Sequence, residues 1–341
     1  MTGTMRAAVL HAAGPPEAFS LEDIAIPEVK PGEVRVRVKA CGVSFRDVVE
    51  RNGTYRRDVT FPLVIGLEIA GVVEETGQGV SLVKEGDHVC TKAFSSCGMC
   101  RYCRSGRETT CLNRQPVRGG YAEYVVLPQD AFVRIPLSLA FEKACMLGAG
   151  AGVALNAVRD TARTKIGDRV LVTGATGGVG LPAVQIAHHA GAEVIAVTRS
   201  ESKRAMLEQA GAHHVIVADG DFSTAVRDVT GGEGADVIID TVGSHVFDAA
   251  YNSLALHGRY AFVGQLNSDK ISINPARIFF KRAQLLGVGS VSRAQLADVI
   301  ELAEQDIVRP QIAEVMPLED IVKAHHLVEA SASVGRIVVT P

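Results

Sequence analysis

RVLVTGATGGVG, residues 169–180, is an apolar strand that runs into a glycine-rich turn and then into the helical stretch LPAVQIAHHAG. Gly177 and Gly180 stand at the second and third glycines of the dinucleotide fingerprint, and Ala175 stands where the first usually is. Thr176, Gly178 and Val179 complete the loop. Small residues let the backbone approach a pyrophosphate, while the helix start offers free N–H groups and a partial positive charge. A glycine-rich loop alone is weak evidence. Here the strand before it, the helix after it and the second strand EVIAVTRS all sit at the right distance, which makes the pattern specific. The end of that second strand selects the nucleotide. An NAD site places Asp or Glu there for the ribose 2′-hydroxyl. This chain has Thr198, Arg199, Ser200 and, a few residues on, Lys203. Hydroxyls and cations without a carboxylate suit a 2′-phosphate, so the expected cofactor is NADP(H).

Strand and helix go on alternating beyond this unit. ESKRAMLEQAGA, HVIVA, DVIIDTVG, GRYAFVGQ and QLLGVGS continue the series, the signature of a parallel, doubly wound α/β sheet of the Rossmann type. The first third has a different character. MRAAVLHA, GEVRVRVKACGV, AGVVEETG, GDHVC and YAEYVVL are short β-branched or alternating runs between Pro and Gly clusters, which predicts an all-β core closed as a small barrel. The change comes near Ala144, and the tail beyond about Ser292 is helix-rich and ends in RIVVTP.

Within the first third lies SSCGMCRYCRSGRETTC, a C-x2-C-x2-C-x7-C cluster of Cys97, Cys100, Cys103 and Cys111. Four thiolates at this spacing can close a tetrahedral shell around one zinc. Four protein ligands leave no open position, so the expected zinc, one per subunit, is structural.

The chain has 341 residues, 47% of them hydrophobic, and a formal net charge of -3. That length suits two domains with two cores. Charges of both signs are scattered, which argues against nucleic acid or an anionic membrane as partner and against a nucleic-acid-binding zinc ribbon. Arg101, Arg104 and Arg107 read as solvent-facing residues between the cysteines. The other three of the seven cysteines, Cys41, Cys90 and Cys145, are isolated. An odd count with no signal-peptide pattern points to a reducing, cytoplasmic setting. The longest apolar run, ACMLGAGAGVALNAV, is too short to span a bilayer and contains Asn156.

With these parts in this order, the chain resembles the medium-chain dehydrogenase/reductase superfamily over essentially its full length. Gly86, Asp87 and Val89 (GD-x-V), Gly119 to Tyr124 (GGYAEY), the nucleotide loop and the closing GRIVV carry the likeness. The resemblance implies a GroES-like catalytic domain over 1–150 with a zinc lobe at about 92–115, a Rossmann domain over 151–291, and a segment 292–341 returning to the catalytic domain. It implies an active site in the cleft between domains and a homodimer or homotetramer. Val242, Val263 with Gly264, and Ser290 match positions that flank the nicotinamide in relatives, whereas Ala154 replaces a threonine that often touches that region.

In the zinc alcohol dehydrogenases of this superfamily, a second, catalytic zinc takes ligands that correspond here to Ser44, Leu67 and Ala149. Leucine has no donor atom and serine is a poor zinc ligand at neutral pH. Asp47 and Glu68, which accompany that metal in relatives, remain. Cys41, His88 and Cys90 are the nearest replacement ligands in sequence, and they read as core or strand residues. The zinc-free branch is the better match: Val43, Ser44, Asp47, Arg51, Gly53 and Tyr55 follow the pattern of quinone oxidoreductases and enoyl reductases, with Ser44 where Asn is usual. A cysteine lobe combined with no catalytic ligands resembles a smaller group that includes acryloyl-CoA reductases.

These features predict NADPH-dependent hydride transfer to an activated C=C in a small molecule, with Tyr55 and Ser44 donating hydrogen bonds to the substrate oxygen and Asp47 orienting the local backbone. Arg46 is expected to be solvated. The alternatives are an alcohol dehydrogenase with relocated zinc ligands and an NADPH-binding protein without turnover.

Overall fold

The computed structural model describes residues 3–54, 59–265, 269–330 and 334–341. Two compact units form: Met1–Ala149 with Ser290–Glu304 and Pro310–Pro341, and Gly150–Gly289 with Gln305–Arg309.

The first unit begins with the antiparallel pair β1 (Thr4–Leu10) and β2 (Phe19–Ala25). The eleven-residue β3 (Glu33–Val43) follows. Along its first half Val34, Val36 and Val38 point into the core while Arg35, Arg37 and Lys39 point away, the period-2 pattern of a half-buried strand. The short helix α1 (Phe45–Arg51), β4 (Glu68–Thr76) and β5 (His88–Thr91) come next. Then β6 (Phe94–Ser95) pairs with β7 (Gln115–Pro116) at the base of the cysteine lobe. β8 (Tyr124–Pro128), β9 (Phe132–Arg134) and the single turn α2 (Phe141–Ala144) complete the first pass.

In the second unit, α3 (Val153–Leu155) precedes β10 (Arg169–Thr173). From there strands and helices alternate: α4 (Gly180–His189), β11 (Glu193–Thr198), α5 (Arg204–Gln209), β12 (His214–Val217), α6 (Ser223–Val229), β13 (Ala235–Asp240) and α7 (Phe247–Ser253). β14 (Leu254–Phe262), α8 (Pro275–Lys281) and β15 (Gln284–Gly287) close it. The strands are parallel in the order β12-β11-β10-β13-β14-β15, the doubly wound 3-2-1-4-5-6 arrangement. Val170 to Val172, Val194 to Ala196 and Val237 to Ile239 are buried without alternation, because helices cover both faces of a parallel sheet.

The chain returns to the first unit through α9 (Arg293–Glu304), β16 (Ile312–Pro317), α10 (Ile321–Glu329) and β17 (Arg336–Thr340). Its larger sheet runs β16-β17-β3-β4-β5-β9. β4 pairs with β3 nearly throughout, whereas β8 takes Glu33 to Arg37 and β17 takes Cys41 to Val43 on the other edge. A core of Val34, Val36, Ile65, Ile69, Phe132 and Val339 fills this unit, and Leu171, Ile195, Ile238, Phe247 and Tyr260 fill the other. Each such fully buried side chain contributes about 1.5–3 kcal/mol of transfer free energy. No helix among the described residues is long and apolar enough to cross a membrane.

Candidate functional site

The nucleotide loop lies between β10 and α4, at the carboxyl end of the central strand, where the strand order reverses. The turn itself falls on Gly174, one residue before the position that Ala175 occupies: Gly174 has φ +58°, and Gly177 donates its N–H to the Gly174 carbonyl at 2.9 Å. A Cβ on Gly180 would lie 2.1 Å from the Gly174 oxygen, so the helix can start this close to the strand only on glycine. No side chain caps α4, and Gly177 is exposed, so the helix start presents N–H groups over an open glycine cradle. These residues fit a dinucleotide pyrophosphate.

At the end of β11, Thr198 is buried and its Oγ1 accepts from the Ser200 amide at 3.3 Å. Ser200 and Ser202 share a hydroxyl contact of 2.8 Å. Arg199 is exposed, and no ion pair to Arg199 or Lys203 forms among the described residues. The nearby Glu201 is engaged by Arg204 at 2.5 Å. The free charge at this strand end is therefore positive.

Asp240, the last residue of β13, builds the neighbouring loops, and sequence reasoning missed it. It is fully buried. Its Oδ1 accepts from Thr173 Oγ1 at 2.7 Å and from the amides of Val242 and Gly243 at 3.0 and 3.1 Å; its Oδ2 accepts from Tyr260 at 2.7 Å. Its carbonyl accepts from the amides of Val263 and Gly264 at 2.9 and 3.2 Å. Asp240 thus fixes these loops, Val242 through its carboxylate and Val263 with Gly264 through its backbone carbonyl. The available signal was an acid closing the apolar strand ADVIID. Ser290, expected within the nucleotide domain, is the first residue of the stretch returning to the first unit.

In the cysteine lobe, the four Sγ atoms of Cys97, Cys100, Cys103 and Cys111 lie within 4.8 Å of one another. Cys97–Cys111 and Cys100–Cys103 are 3.5 Å apart, and Cys100–Cys111 is 4.0 Å. A tetrahedron with 2.3 Å zinc–sulfur arms has edges of about 3.8 Å, so the donor set fits one zinc. The amides of Cys97 and Asn113 each donate to Cys111 Sγ at 3.3 Å, which favours a thiolate. Buried Lys92 ties the lobe down: its Nζ meets Glu108 at 3.1 Å and Asp130 at 2.8 Å, and Asp130 also accepts from Ser96. No further group of three His, Cys, Asp or Glu donors converges in this way among the described residues. Cys41 and Cys90 are buried in the core, and the His88 ring packs 4.6 Å from Phe141.

The third cluster surrounds the start of α1. Ser44 is the N-cap, and Asp47 closes a capping box with it. Asp47 Oδ2 accepts from the Ser44 amide at 2.8 Å and from its hydroxyl at 2.6 Å. The serine proton is thereby directed at Asp47. The hydroxyl expected to donate to a substrate oxygen is engaged with Asp47 in this structure. Burial pushes Asp47 up to about 6, against the bonds from Ser44. Burial likewise pushes Glu68 up to about 7, opposed by Arg336 at 2.7 Å. Leu67 packs in the hydrophobic core. Arg46 is half-buried rather than solvated: it pairs with Glu50 at 2.9 Å and lies 4.9 Å from the Phe94 ring centroid. Tyr55 lies outside the described residues.

Comparison with known proteins agrees with this construction. Residues 30–137 match the family described as alcohol dehydrogenase GroES-like domain, and residues 178–305 match zinc-binding dehydrogenase. The acryloyl-coenzyme A reductase of Sulfurisphaera tokodaii is 31% identical over 337 residues, covering 96% of this chain and 98% of the relative. The quinone oxidoreductase of Rattus norvegicus is 31% identical over 343 residues, covering 98% and 97%. The crystal structure of AibC has 38% identity and a TM-score of 0.95 over 100% of this chain and 97% of its own. That of an NAD-dependent alcohol dehydrogenase has 34% identity and a TM-score of 0.94 over 99% and 100%. A nucleotide loop on a doubly wound sheet, a cysteine lobe on a GroES-like unit and these full-length relatives establish that the chain belongs to the medium-chain dehydrogenase/reductase superfamily and is an oxidoreductase.

Proposed function

We propose that this protein is an NADPH-dependent reductase of a C=C conjugated to a carbonyl, in a quinone, an enone or an enoyl thioester, working without a catalytic metal. The observation that carries the reading is the pair Ser44 and Leu67. The serine hydroxyl is tied into the α1 cap, and the leucine has no donor and sits in the core. A metal in this fold would polarise a carbonyl or an alcohol oxygen. Where no metal does so, a conjugated alkene is the more tractable acceptor. The names of two relatives, acryloyl-coenzyme A reductase and quinone oxidoreductase, point the same way.

NADPH is favoured by the uncompensated Arg199 and Lys203 beside Thr198 and Ser200. Bound at the Gly174–Gly180 cradle, the dinucleotide supplies the hydride for the alkene β-carbon. The chain's own part is to hold the nucleotide and to donate a hydrogen bond to the carbonyl oxygen as negative charge gathers there. Tyr55 is the proposed donor, and Asp47 positions the helix start rather than moving the proton. The cysteine lobe would hold one structural zinc, whose binding contributes folding free energy of about 10 kcal/mol.

The test is an NADPH- and NADH-oxidation screen over quinones, enones, acryloyl and crotonyl thioesters and aldehydes, run beside a zinc count. Turnover of a conjugated acceptor with NADPH and one zinc per subunit is expected. Two zincs per subunit with alcohol oxidation, or nucleotide binding with no acceptor reduced, would overturn the reading. On the active acceptor, Tyr55→Phe is expected to lower kcat about a hundredfold, the usual cost of one oxyanion donor, with NADPH affinity unchanged. Unchanged kcat removes Tyr55 from the mechanism.

A further inference from the structure

We propose that Asp47 and Glu68 together hold one proton at neutral pH, so that the folded protein carries a buried carboxylic acid beside the start of α1. Both side chains are buried, at 0% and 1% exposure. Each carboxyl has one oxygen bonded and one stranded. Asp47 Oδ2 takes both Ser44 donors, and Glu68 Oε1 takes Arg336. Asp47 Oδ1 and Glu68 Oε2 are buried without a hydrogen bond that meets full geometry among the described residues, and the hydroxyl of fully buried Tyr121 faces Asp47. Glu68 Oε2 occupies the space that a side chain at position 42 would fill, since a Cβ on Gly42 would approach it to 2.4 Å.

The surrounding charges do not balance the pair locally. Facing Asp47 are Arg46 and Glu50 on its own helix, Glu68 from β4, Cys41 from β3 and Tyr121. Facing Glu68 are Arg336 from β17, Asp47, Cys41 and Cys145. Of the guanidiniums, Arg46 and Arg118 both bind Glu50, at 2.9 and 3.2 Å, and Arg336 binds Glu68. Asp47 has no ion pair among the described residues; its bonded partners are neutral groups of Ser44. A buried carboxylate without a cation is costly, and protonation removes the charge and turns a stranded acceptor into a donor. Ser44 and Leu67 offer no zinc ligand set beside the pair, and a proton supplies the neutralising role. Burial raises both acids, to about 6 and about 7, which places loss of the shared proton near neutrality.

The experiment is infrared spectroscopy of the folded, zinc-loaded protein across pH 5–9, in water and deuterium oxide. A carboxylic-acid carbonyl band is expected at the acid end, shifted by deuteration and lost on titration through about pH 7. The band should vanish or move its midpoint in Glu68→Gln, which keeps an acceptor for Arg336, and likewise in Asp47→Asn. Absence of the band in the folded wild type overturns the proposal without any variant. A band that both variants leave untouched belongs to another buried acid and overturns it equally.

Discussion

At the scale of single residues, Arg199 bears on the proposed nucleotide and His325 on acid stability. Arg199 is exposed, so its removal should leave the fold intact and touch only the ligand. Charge-assisted hydrogen bonds contribute about 1.5–3 kcal/mol. Arg199→Ala is therefore expected to raise the NADPH dissociation constant about tenfold or more and to leave that of NADH unchanged, as read by fluorescence titration. Equal effects on both would reject the 2′-phosphate assignment. His325 sets a different limit. It is buried against the Phe19 ring at 4.8 Å, and its Nδ1 accepts from Arg51 at 2.9 Å, so it is held neutral. Burial, reinforced by the Arg51 charge, pushes it down to about 3. The unfolded chain takes up that proton below about 6.5 and the folded one does not. Stability should therefore fall with acidification from about 6.5 toward 3, at a slope of about 1.4 kcal/mol per pH unit from this residue. In His325→Gln, denaturant unfolding between pH 6 and 4 should lose that part of the slope. An unchanged slope would assign the acid sensitivity elsewhere.

At the level of elements, the junction of β10 with α4 is the tightest constraint. A methyl group on Gly180 has nowhere to go, because both nearest atoms, the Gly174 oxygen and the Ala175 Cα, are backbone. Overpacking of this kind costs about 1–3 kcal/mol. Gly180→Ala should lower thermal stability by that amount and weaken both NADPH and NADH, since the displaced helix start serves the pyrophosphate common to both. A variant that binds both normally would show that the close approach is not what shapes the site. The carboxylate of Asp240 joins β10, β13 and β14 at the same end, by way of Thr173 and Tyr260. Elements meeting at one buried acid explain why three loops far apart in sequence can be positioned together.

For the whole molecule, the open question is self-association, and the second unit offers a surface for it. β15 is an edge strand of the parallel sheet, and the preceding α8 has no buried residue. Phe279 and Phe280 are 61% and 73% exposed, and Leu285 on the edge is 36% exposed. A bare edge beside exposed aromatics favours pairing with a second copy of the chain about a two-fold axis. We propose a homodimer through this edge. Light scattering should give twice the chain mass for the wild type and the monomer mass for the double variant Phe280→Asp, Leu285→Lys, with the nucleotide site still able to bind. A dimer that survives this change uses another surface.

The sequence by itself determined the parts governed by local pattern. The unbroken apolar runs of β10, β11 and β13, the alternation of β3 and the spacing of the four cysteines each fix their own geometry through side-chain period and chain length. Strands with weak local patterns were not legible. β2, β9 and β16 are strands because β1, β5 and β17 pair with them, not because FSLEDIA, FVR or IAEVMP alternate. The candidate sites divide along the same line. The glycine loop and the strand-end cations could be read directly, although the turn proved to use Gly174. The direction of the Ser44 proton, the anchoring of the lobe by Lys92, the role of Asp240 and the stranded oxygens of Asp47 and Glu68 were decided only by tertiary structure. Hydrogen bonds and desolvation join residues separated by tens to hundreds of positions, and no local period encodes which of them will meet.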